Sequence, residues 1–475
     1  MPLPLQPVID HIEQDFDGAI QRLQDLLRIP SISTDPTFND QTRAAAQWVA
    51  DDLKGIGFDV SLRDTPGHPM VVAHHDGPTG EDVPHILYYG HYDVQPPDPM
   101  ELWETGPFEP TIADSPHGKK IVGRGAVDDK GQLMTFIEAF RAWKKVHDAL
   151  PVKVTVMLEG EEESGSPSLD PFLNENKEEL AADVCVVCDT AMWNIDTPAI
   201  TYMLRGLVYI EATLHGPNCD LHSGVYGGSL RNPINALCKI LGELIDDDGV
   251  VQIPDFYDDV LPLGDSEKAQ WESLGFDESA FLGEIGINTP FGEKGQSTLQ
   301  RVWSRPTCDI NGIHGGYIGE GAKTVIGAHA TAKISCRLVA NQDPGTIHEN
   351  LLAFLTQRTP KGYRWEFKNH GTSPAIRIPT DSPYLEAAKE GLKETYGRPA
   401  VLIGCGGSIP LVGSIQQILG FESLLVGFGL DDDRMHSPNE KFELRCLQMG
   451  IKSHAAILNR FAMISQEALA SASSM

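Results

Sequence analysis

The sequence predicts an α/β protein in which a mostly parallel sheet forms one domain and a smaller α+β domain is inserted into it. In the first part of the chain, short apolar runs typical of buried strands alternate with helical periodicities. After about residue 206 the strands alternate apolar and polar positions, which indicates a sheet with one solvated face. The length of 475 residues exceeds the ~250–300 residues at which a single core stops growing. We therefore expect a first domain from residues 1–206 and 378–475, with an inserted domain from 207–377.

The elements of the first domain follow from periodicity. Apolar residues at helical spacing predict a helix from Ile12 to Leu27. Further predicted elements are a helix at 41–53, a strand at 85–90, a helix at 133–146, and strands at 153–160 and 184–188. In open α/β sheets, ligands bind beyond the carboxyl ends of the strands, so the residues that follow each strand are the first candidates for a site.

The inserted domain is predicted from its alternating strands, 207–214 and 329–339, and from an amphipathic helix at 231–245 with a proline near its start. From about residue 380 helices and strands alternate again, with a buried strand at 424–428 and a closing helix after residue 440. The second domain is thus expected to be an insertion within the first, with both ends of the chain in the first domain.

Composition and charge narrow the class of protein. Hydrophobic residues make up 41% and charged residues 22%, as in ordinary globular proteins. A formal charge of -30 argues against a nucleic-acid partner, and no apolar run approaches the ~18 residues that a membrane span requires. The start of the chain does not resemble a secretory signal, and the eight cysteines are thinly spread, so we expect reduced thiols and a cytoplasmic location. The CxxC of Cys185 and Cys188 is interpreted as part of a buried strand.

Acidic residues and histidines follow several of the predicted strands. Each has an ordinary explanation when taken alone: a solvated turn, an aspartate that caps a helix, or an acidic surface loop. Together they are the ligand mixture of a hydrolytic site with two divalent metal ions. The residues are His91, Asp93, Asp128, Asp129, Glu159, Glu161, Glu162, Glu163, Asp189 and His436.

The motifs that contain these residues occur in a characteristic order: HYDVQP, GRGAVDDKG, EGEEESGS, HSGVYGG, GGSIP and HSPNE. This ordered set resembles that of the M20 metallopeptidases, and most of all their carnosinase-like and bacterial dipeptidase branch. The resemblance runs from about residue 85 to 442. It implies a zinc-peptidase-like catalytic domain, an inserted lid or dimerisation domain, a homodimer, and hydrolysis of dipeptides or short peptides. It also implies two divalent ions, Zn²⁺ first, with Mn²⁺ or Co²⁺ as alternatives.

The resemblance assigns roles to individual residues. The implied metal ligands are Asp128 as the bridge, His91 and Asp189 on one ion, and Glu163 and His436 on the other. Glu162 is implied as the general base, and Asp93 as the residue that holds the ring of His91. In these enzymes the peptide bond between the paired aspartates tends to be cis, which here is the bond between Asp128 and Asp129.

The substrate-binding residues are also implied by the resemblance. His222 would polarise the scissile carbonyl, and in these enzymes it reaches the site of the opposite subunit. Thr324 and Arg337 would contact the substrate, and the arginine would bind the substrate's carboxylate. Gly407 and Ser408 would hold the C-terminal end of the substrate. One departure is that Gly404 and Cys405 stand where carnosinase-like enzymes usually have Arg-Glu. The pocket is therefore expected to differ, and carnosine is not assumed as the substrate.

Two other functions fit the same motifs. One is a different amidohydrolase on this scaffold, such as an N-acyl amino acid deacylase or a carbamoyl hydrolase. The other is a metal-binding scaffold protein without catalysis, which the presence of Glu162 together with every matched ligand disfavours.

Overall fold

A computed structural model describes residues 3–80, 83–407 and 409–464 and divides them into two compact units. The first comprises the described residues within Met1–Tyr202, Ile378–Ile403 and Ser414–Met475, and the second comprises those within Met203–Arg377 and Gly404–Gly413. The predicted boundaries at 206/207 and 377/378 stay a prediction. The segment Gly404–Gly413, which the sequence placed in the first domain, groups with the second unit.

The strands of both units are, in chain order, β1 (Asp59–Arg63), β2 (Met70–His75), β3 (His85–His91), β4 (Thr111–Ser115), β5 (Gly118–Val122), β6 (Lys153–Glu159), β7 (Val184–Val187), β8 (Ala199–Leu204), β9 (Gly206–His215), β10 (Leu221–His222), β11 (Thr307–Gly315), β12 (Val325–Ile326), β13 (His329–Leu338), β14 (Arg364–Ser373), β15 (Ile376–Arg377), β16 (Val401–Cys405), β17 (Ser423–Leu425) and β18 (Lys441–Glu443).

The α-helices are α1 (Gln6–Gln14), α2 (Phe16–Leu27), α3 (Asn39–Ile56), α4 (Lys130–His147), α5 (Leu169–Glu175), α6 (Ser223–Tyr226), α7 (Pro233–Leu241), α8 (Asp265–Ser273), α9 (Glu278–Glu284), α10 (Thr298–Trp303), α11 (Pro344–Gln357), α12 (Pro383–Tyr396), α13 (Pro410–Ser414) and α14 (Leu444–Phe461). Short 3₁₀ turns cover Pro36–Phe38, Met100–Leu102 and Glu162–Ser164, and a π-helical turn covers Ile415–Leu419.

The first unit is built around a sheet whose strands run in the order β1-β2-β6-β3-β7-β17-β8, with β16 also pairing β8. The central pairings of β6 with β3, β3 with β7, and β7 with β17 are parallel. The strands of this centre are continuous apolar runs because both faces are covered: every residue of β7 is buried. These features confirm the predicted α/β class with a mostly parallel sheet.

Helices α4 and α14 pack together in this unit, and the indole N–H of Trp143 donates to the carbonyl of Ala455 at 3.2 Å. A small antiparallel sheet, ordered β18-β5-β4, belongs to the same unit. No helix among the described residues combines the length and apolar character that a bilayer crossing requires.

The second unit contains an antiparallel sheet in the order β11-β13-β9-β14. Along β9 buried and half-buried residues alternate, as the sequence pattern predicts for a sheet with one covered face. The buried face packs against α7 and α11, whose apolar residues include Leu237 and Leu351. A two-stranded pairing of β10 with β12 lies apart from this sheet.

Several predicted boundaries are wrong. The helix predicted across Ile12–Leu27 is two helices, because Asp15 leaves the helical conformation at φ -100° and ψ 12°. The helix predicted at 231–245 ends earlier, at Leu241, with Gly242 at its C-cap. The strand predicted at 424–428 is the shorter β17.

Candidate metal centre and active site

The carboxyl ends of three adjacent parallel strands meet at one edge of the main sheet. His91 is the last residue of β3, Glu163 lies in the turn after β6, and Asp189 lies just beyond β7. Because β3 pairs with both β6 and β7, the three side chains come together although they are far apart in the sequence. This is the edge at which the sequence predicted a site.

Two further residues reach this edge from loops. Asp128 lies in the turn that precedes α4, and the peptide bond between Asp128 and Asp129 is cis, as the resemblance implied. His436 lies in the segment before β18, with a left-handed backbone conformation at φ 58°. Residues other than glycine rarely adopt the left-handed backbone conformation. Where they do, the surrounding structure fixes them, often at functional sites.

Asp128 joins these residues into two groups. Its Oδ1 lies 3.1 Å from Nε2 of His91, and its Oδ2 lies 2.8 Å from Nε2 of His436. Asp189 completes the first group, with Oδ2 3.9 Å from Nε2 of His91. Glu163 completes the second, with Oε2 3.3 Å from Nε2 of His436. Within each group, one ligand atom from every residue lies within 4.8 Å of the others.

The donor set fits two divalent cations. Each group offers one imidazole and two carboxylates, a combination that suits zinc, manganese and cobalt. Oε1 of Glu163 is buried and has no hydrogen-bond partner among the residues that the structure describes. A buried carboxylate oxygen without a donor is costly unless a cation compensates it. The structure therefore holds a candidate site for divalent metal ions.

The electrostatics of the cluster also indicate a need for positive charge. Burial raises the pKa of Asp189 well above its usual value, and the negative charge of Asp128 raises it further. Hydrogen bonds to Asp128 and Glu163 raise the pKa of His436 to about 10. Burial opposes the charged form of Asp128, but hydrogen bonds from His436 and His91 lower the pKa of that carboxyl. Without metal ions, protons on the histidines balance the negative charge of the carboxylates. Bound cations would take over this role.

Asp93 and Asp129 support the candidate ligands. Nδ1 of His91 lies 3.1 Å from the carbonyl oxygen of Asp93 and 3.3 Å from its Oδ1, so the ring is held from the side opposite Asp128. The other carboxylate oxygen of Asp93 accepts the backbone N–H of Glu163 at 3.1 Å. Asp129, to which the resemblance assigned no metal-ligand role, accepts the backbone N–H of His91 at 3.1 Å.

Glu162 stands in the same turn as Glu163. Burial raises the pKa of the Glu162 carboxyl to about 7, and the negative charges of Glu163 and Asp128 contribute in the same direction, opposed by His91. A carboxyl group with a pKa near neutrality can both accept and return a proton at physiological pH.

Glu440 is a supporting residue that the sequence reasoning missed. Its Oε1 accepts the backbone N–H groups of Val127 and Asp128 at 2.9 and 3.1 Å. Its Oε2 accepts from Nη1 of Arg124 at 2.8 Å and from the N–H of Gly125 at 3.0 Å. Glu440 stands in the same HSPNE motif as His436, and that position was the one signal that could have identified it.

The remaining predicted residues that the structure describes lie in the second unit. His222 ends β10 and is exposed, and its Nδ1 accepts the N–H of Gly224 at 2.9 Å. Thr324 is exposed directly before β12, the strand that pairs with β10. Arg337 is half-buried on β13. The backbone carbonyl of Gly407 accepts the backbone N–H of Arg205 at 3.1 Å. The predicted residue Ser408 lies outside the described residues.

A mainly parallel sheet with two imidazoles and three carboxylates at one edge is typical of a metal-dependent hydrolase. The sequence profile described as "Peptidase family M20/M25/M40" matches residues 87–460, most of the chain. The chain belongs to this family and is a metallopeptidase, a hydrolase that acts on peptide bonds.

Individual relatives agree with the family. The chain is 31% identical to the Cys-Gly metallodipeptidase DUG1 of Candida albicans, over 97% of this chain and 98% of the relative. It is 29% identical to the human Beta-Ala-His dipeptidase, over 98% of this chain and 94% of the relative. Among solved structures, it is similar to the M20 family metallo-carboxypeptidase Sso-CP2 from Sulfolobus solfataricus, with a TM-score of 0.82, 30% identity, and coverage of 94% of this chain and 99% of that one.

Proposed function

We propose that the chain hydrolyses the peptide bond of dipeptides or short peptides with two bound divalent ions, Zn²⁺ first and Mn²⁺ or Co²⁺ as alternatives. The observation that carries the proposal is the position of Asp128, whose two carboxylate oxygens each approach a different histidine. Similarity to dipeptidases over nearly the whole chain supports the substrate class. The proposed ligands are His91, Asp128 and Asp189 for one ion, and Asp128, Glu163 and His436 for the other.

The protein's own groups have distinct tasks in this reaction. When bound, the divalent ions supply a Lewis acid for the scissile carbonyl and lower the pKa of water. Glu162 takes a proton from the attacking water and gives it to the departing amine, which its pKa of about 7 allows in both directions. Asp93 holds the ring of His91 so that Nε2 points towards Asp128.

The second unit is proposed to bind the substrate. Arg337 pairs with the C-terminal carboxylate, and Gly407 and Ser408 hold the same end of the peptide. Thr324 also contacts the substrate. His222 polarises the scissile carbonyl. His222 ends β10 and Thr324 directly precedes β12, the strand that pairs with β10. Both residues are exposed, and this exposure supports the role because both side chains are open to a ligand.

We further propose a homodimer, in which His222 serves the active site of the opposite subunit. The edge strand β11 supports this arrangement, because an exposed sheet edge can pair with a second copy. Ile310 and Ile313 on that strand are exposed apolar residues. A cytoplasmic location is also proposed, and it is supported by the eight free cysteines.

A metal and substrate panel tests the function. Purified enzyme is stripped with a chelator, reloaded with Zn²⁺, Mn²⁺ or Co²⁺ singly, and assayed on dipeptides and on N-acyl amino acids of the same C-terminal residue. We expect two ions per chain at full activity and faster turnover of the dipeptides. Activity that survives complete metal removal, or faster turnover of the N-acyl amino acids, would contradict the proposal.

A further inference from the structure

Gln95 contacts the proposed ligand Glu163 at two atoms. Its Nε2 donates to Oε2 of the Glu163 carboxylate at 2.8 Å and to the backbone carbonyl of the same residue at 3.2 Å. Because both partner atoms are acceptors when the carboxyl is ionised, the NH₂ end of the amide must face Glu163. Both N–H groups of the amide are thus used on one residue.

The segment that carries Gln95 is itself fixed. The backbone N–H of Val94 donates to the carbonyl of Ser31 at 2.9 Å, and Oγ of Ser31 donates to the carbonyl of Tyr92 at 2.6 Å. Val94, Ser31 and Tyr92 are all buried. Gln95 directly follows this anchored stretch, so its amide approaches Glu163 from a defined position.

Asp93 holds Glu163 from the same segment. Its Oδ2 accepts the backbone N–H of Glu163 at 3.1 Å. Together with Gln95, it binds the N–H, the carbonyl and one carboxylate oxygen of Glu163. Among the residues that the structure describes, no hydrogen bond reaches the carboxylate of the neighbouring Glu162. One of the two adjacent glutamates is therefore held at its carboxylate, and the other is not.

The carboxylate oxygen that Gln95 contacts is the one that faces His436. Oε2 of Glu163 lies 3.3 Å from Nε2 of His436, whereas Oε1 is buried and has no partner among the described residues. An amide is a neutral donor, so it can fix the orientation of the carboxylate without cancelling its charge. A lysine or arginine in the same place would compete with a cation for that charge.

We propose that Gln95 is a positioning residue for Glu163. Its amide sets the orientation of that carboxylate, and so sets the affinity for a divalent ion of the group formed by Asp128, Glu163 and His436. Replacing a residue that orients a metal ligand lowers metal affinity by roughly 10- to 100-fold. The inference rests on the proposed function with two ions, and it adds a residue that acts on only one of them.

The test uses variants that each keep one group of ligands intact. Asp189→Ala removes a ligand from the group that contains His91, and His436→Ala removes a ligand from the group that contains Glu163. Competition with a chromogenic chelator then measures the affinity for Zn²⁺ of each variant, with and without Gln95→Leu. In Asp189→Ala enzyme, Gln95→Leu should weaken binding by roughly 10- to 100-fold. In His436→Ala enzyme, the effect should stay within about twofold, as for independent sites.

Gln24→Leu is the matched control. Gln24 is a half-buried glutamine of the same unit, and its Nε2 donates to the backbone carbonyl of Pro110 at 3.4 Å. The control should leave the affinity for Zn²⁺ unchanged in both backgrounds. Equal losses from Gln95→Leu in the two backgrounds would show that Gln95 only maintains the fold. Either that result or an equal loss from Gln24→Leu overturns the inference.

The affinities are measured without a substrate, which separates this inference from the proposed function. A loss confined to the Asp189→Ala background supports the inference even if the wild-type enzyme hydrolyses no dipeptide, a result that would contradict the proposed function alone. Unchanged affinity in Asp189→Ala enzyme on adding Gln95→Leu overturns the inference even if the wild-type enzyme hydrolyses dipeptides with two ions bound.

Discussion

The substitution Glu440→Gln is predicted to weaken metal binding without removing a ligand. The carboxylate accepts four hydrogen bonds, three from backbone N–H groups of residues 125–128 and one from the buried guanidinium of Arg124. A glutamine keeps one accepting oxygen, and its NH₂ group faces the remaining two donors. The loop that carries Asp128 then loses two of the four hydrogen bonds that it donates to residue 440.

The magnitude follows from the groups left without a partner. A buried donor that loses its acceptor costs about 1–3 kcal/mol. Removing one member of a buried ion pair costs about 3–5 kcal/mol. Since Glu440 and Arg124 are both buried, we expect the free energy of unfolding to fall by about 3–5 kcal/mol. Metal affinity should fall by roughly 10- to 100-fold, as is usual when a residue that orients a ligand is replaced.

The assay is a competition between the protein and a chromogenic chelator, combined with urea unfolding followed by circular dichroism. Both are run at pH 8, because burial raises the pKa of Glu440 to about 7 and the wild-type carboxylate must be ionised. Glu443→Gln is the control, since Glu443 is buried on β18, the strand that directly follows Glu440, but pairs with Lys441 and Ser115. Wild-type metal affinity in Glu440→Gln, or an equal loss of affinity in Glu443→Gln, would refute the reasoning.

Four further predictions concern catalysis, recognition, protons and assembly. Glu162→Gln should keep wild-type metal content, measured by mass spectrometry, and lower kcat by ~100-fold or more, since it removes proton transfer but no ligand; loss of metal would show that the two adjacent glutamates have the opposite roles. Amidation of a good dipeptide should lower kcat/KM strongly, because Arg337 loses its partner, and equal rates for acid and amide would remove that residue from the role. Metal binding at pH 7 should release protons, because hydrogen bonds to Asp128 and Glu163 raise the pKa of His436 to about 10 and a cation requires the neutral ring. Metal affinity should therefore rise from pH 6 to pH 9. Calorimetry in two buffers of different ionisation enthalpy measures the protons released, and equal binding enthalpies in the two buffers would contradict the prediction. Hybrids of Glu162→Gln and His222→Ala chains, purified with two tags, should recover up to about half of wild-type activity if each site uses both subunits. Inactive hybrids would show that His222 acts within its own subunit or has no role in catalysis.

Local patterns predicted much of the first unit. The apolar runs that become β3, β6 and β7 and the acidic residues that follow them are contiguous in the sequence, so periodicity and position alone indicated the edge at which His91 and Asp189 lie. The helix break at Asp15 was missed because the apolar spacing continues through it.

Residues that act through distant partners could not be predicted in this way. Glu440 contacts the backbone of Asp128 across 312 positions, and Arg205 contacts Gly406 across 201. Neither contact leaves a periodic or compositional trace near either residue. A buried charge becomes recognisable as a support only when its hydrogen-bond partners are known.

The geometry around Asp128 explains why the paired aspartates occur as a unit. Asp128 faces the two histidines, while Asp129 accepts the backbone N–H of His91 and so attaches the same turn to the end of β3. Glu440 attaches that turn to the segment that carries His436. The turn is therefore fixed to both metal groups through backbone contacts that do not use the ligand atoms. The side-chain oxygens of Asp128 are thereby left to face the two histidines, and the contacts that hold Asp128 between the two groups do not use those oxygens.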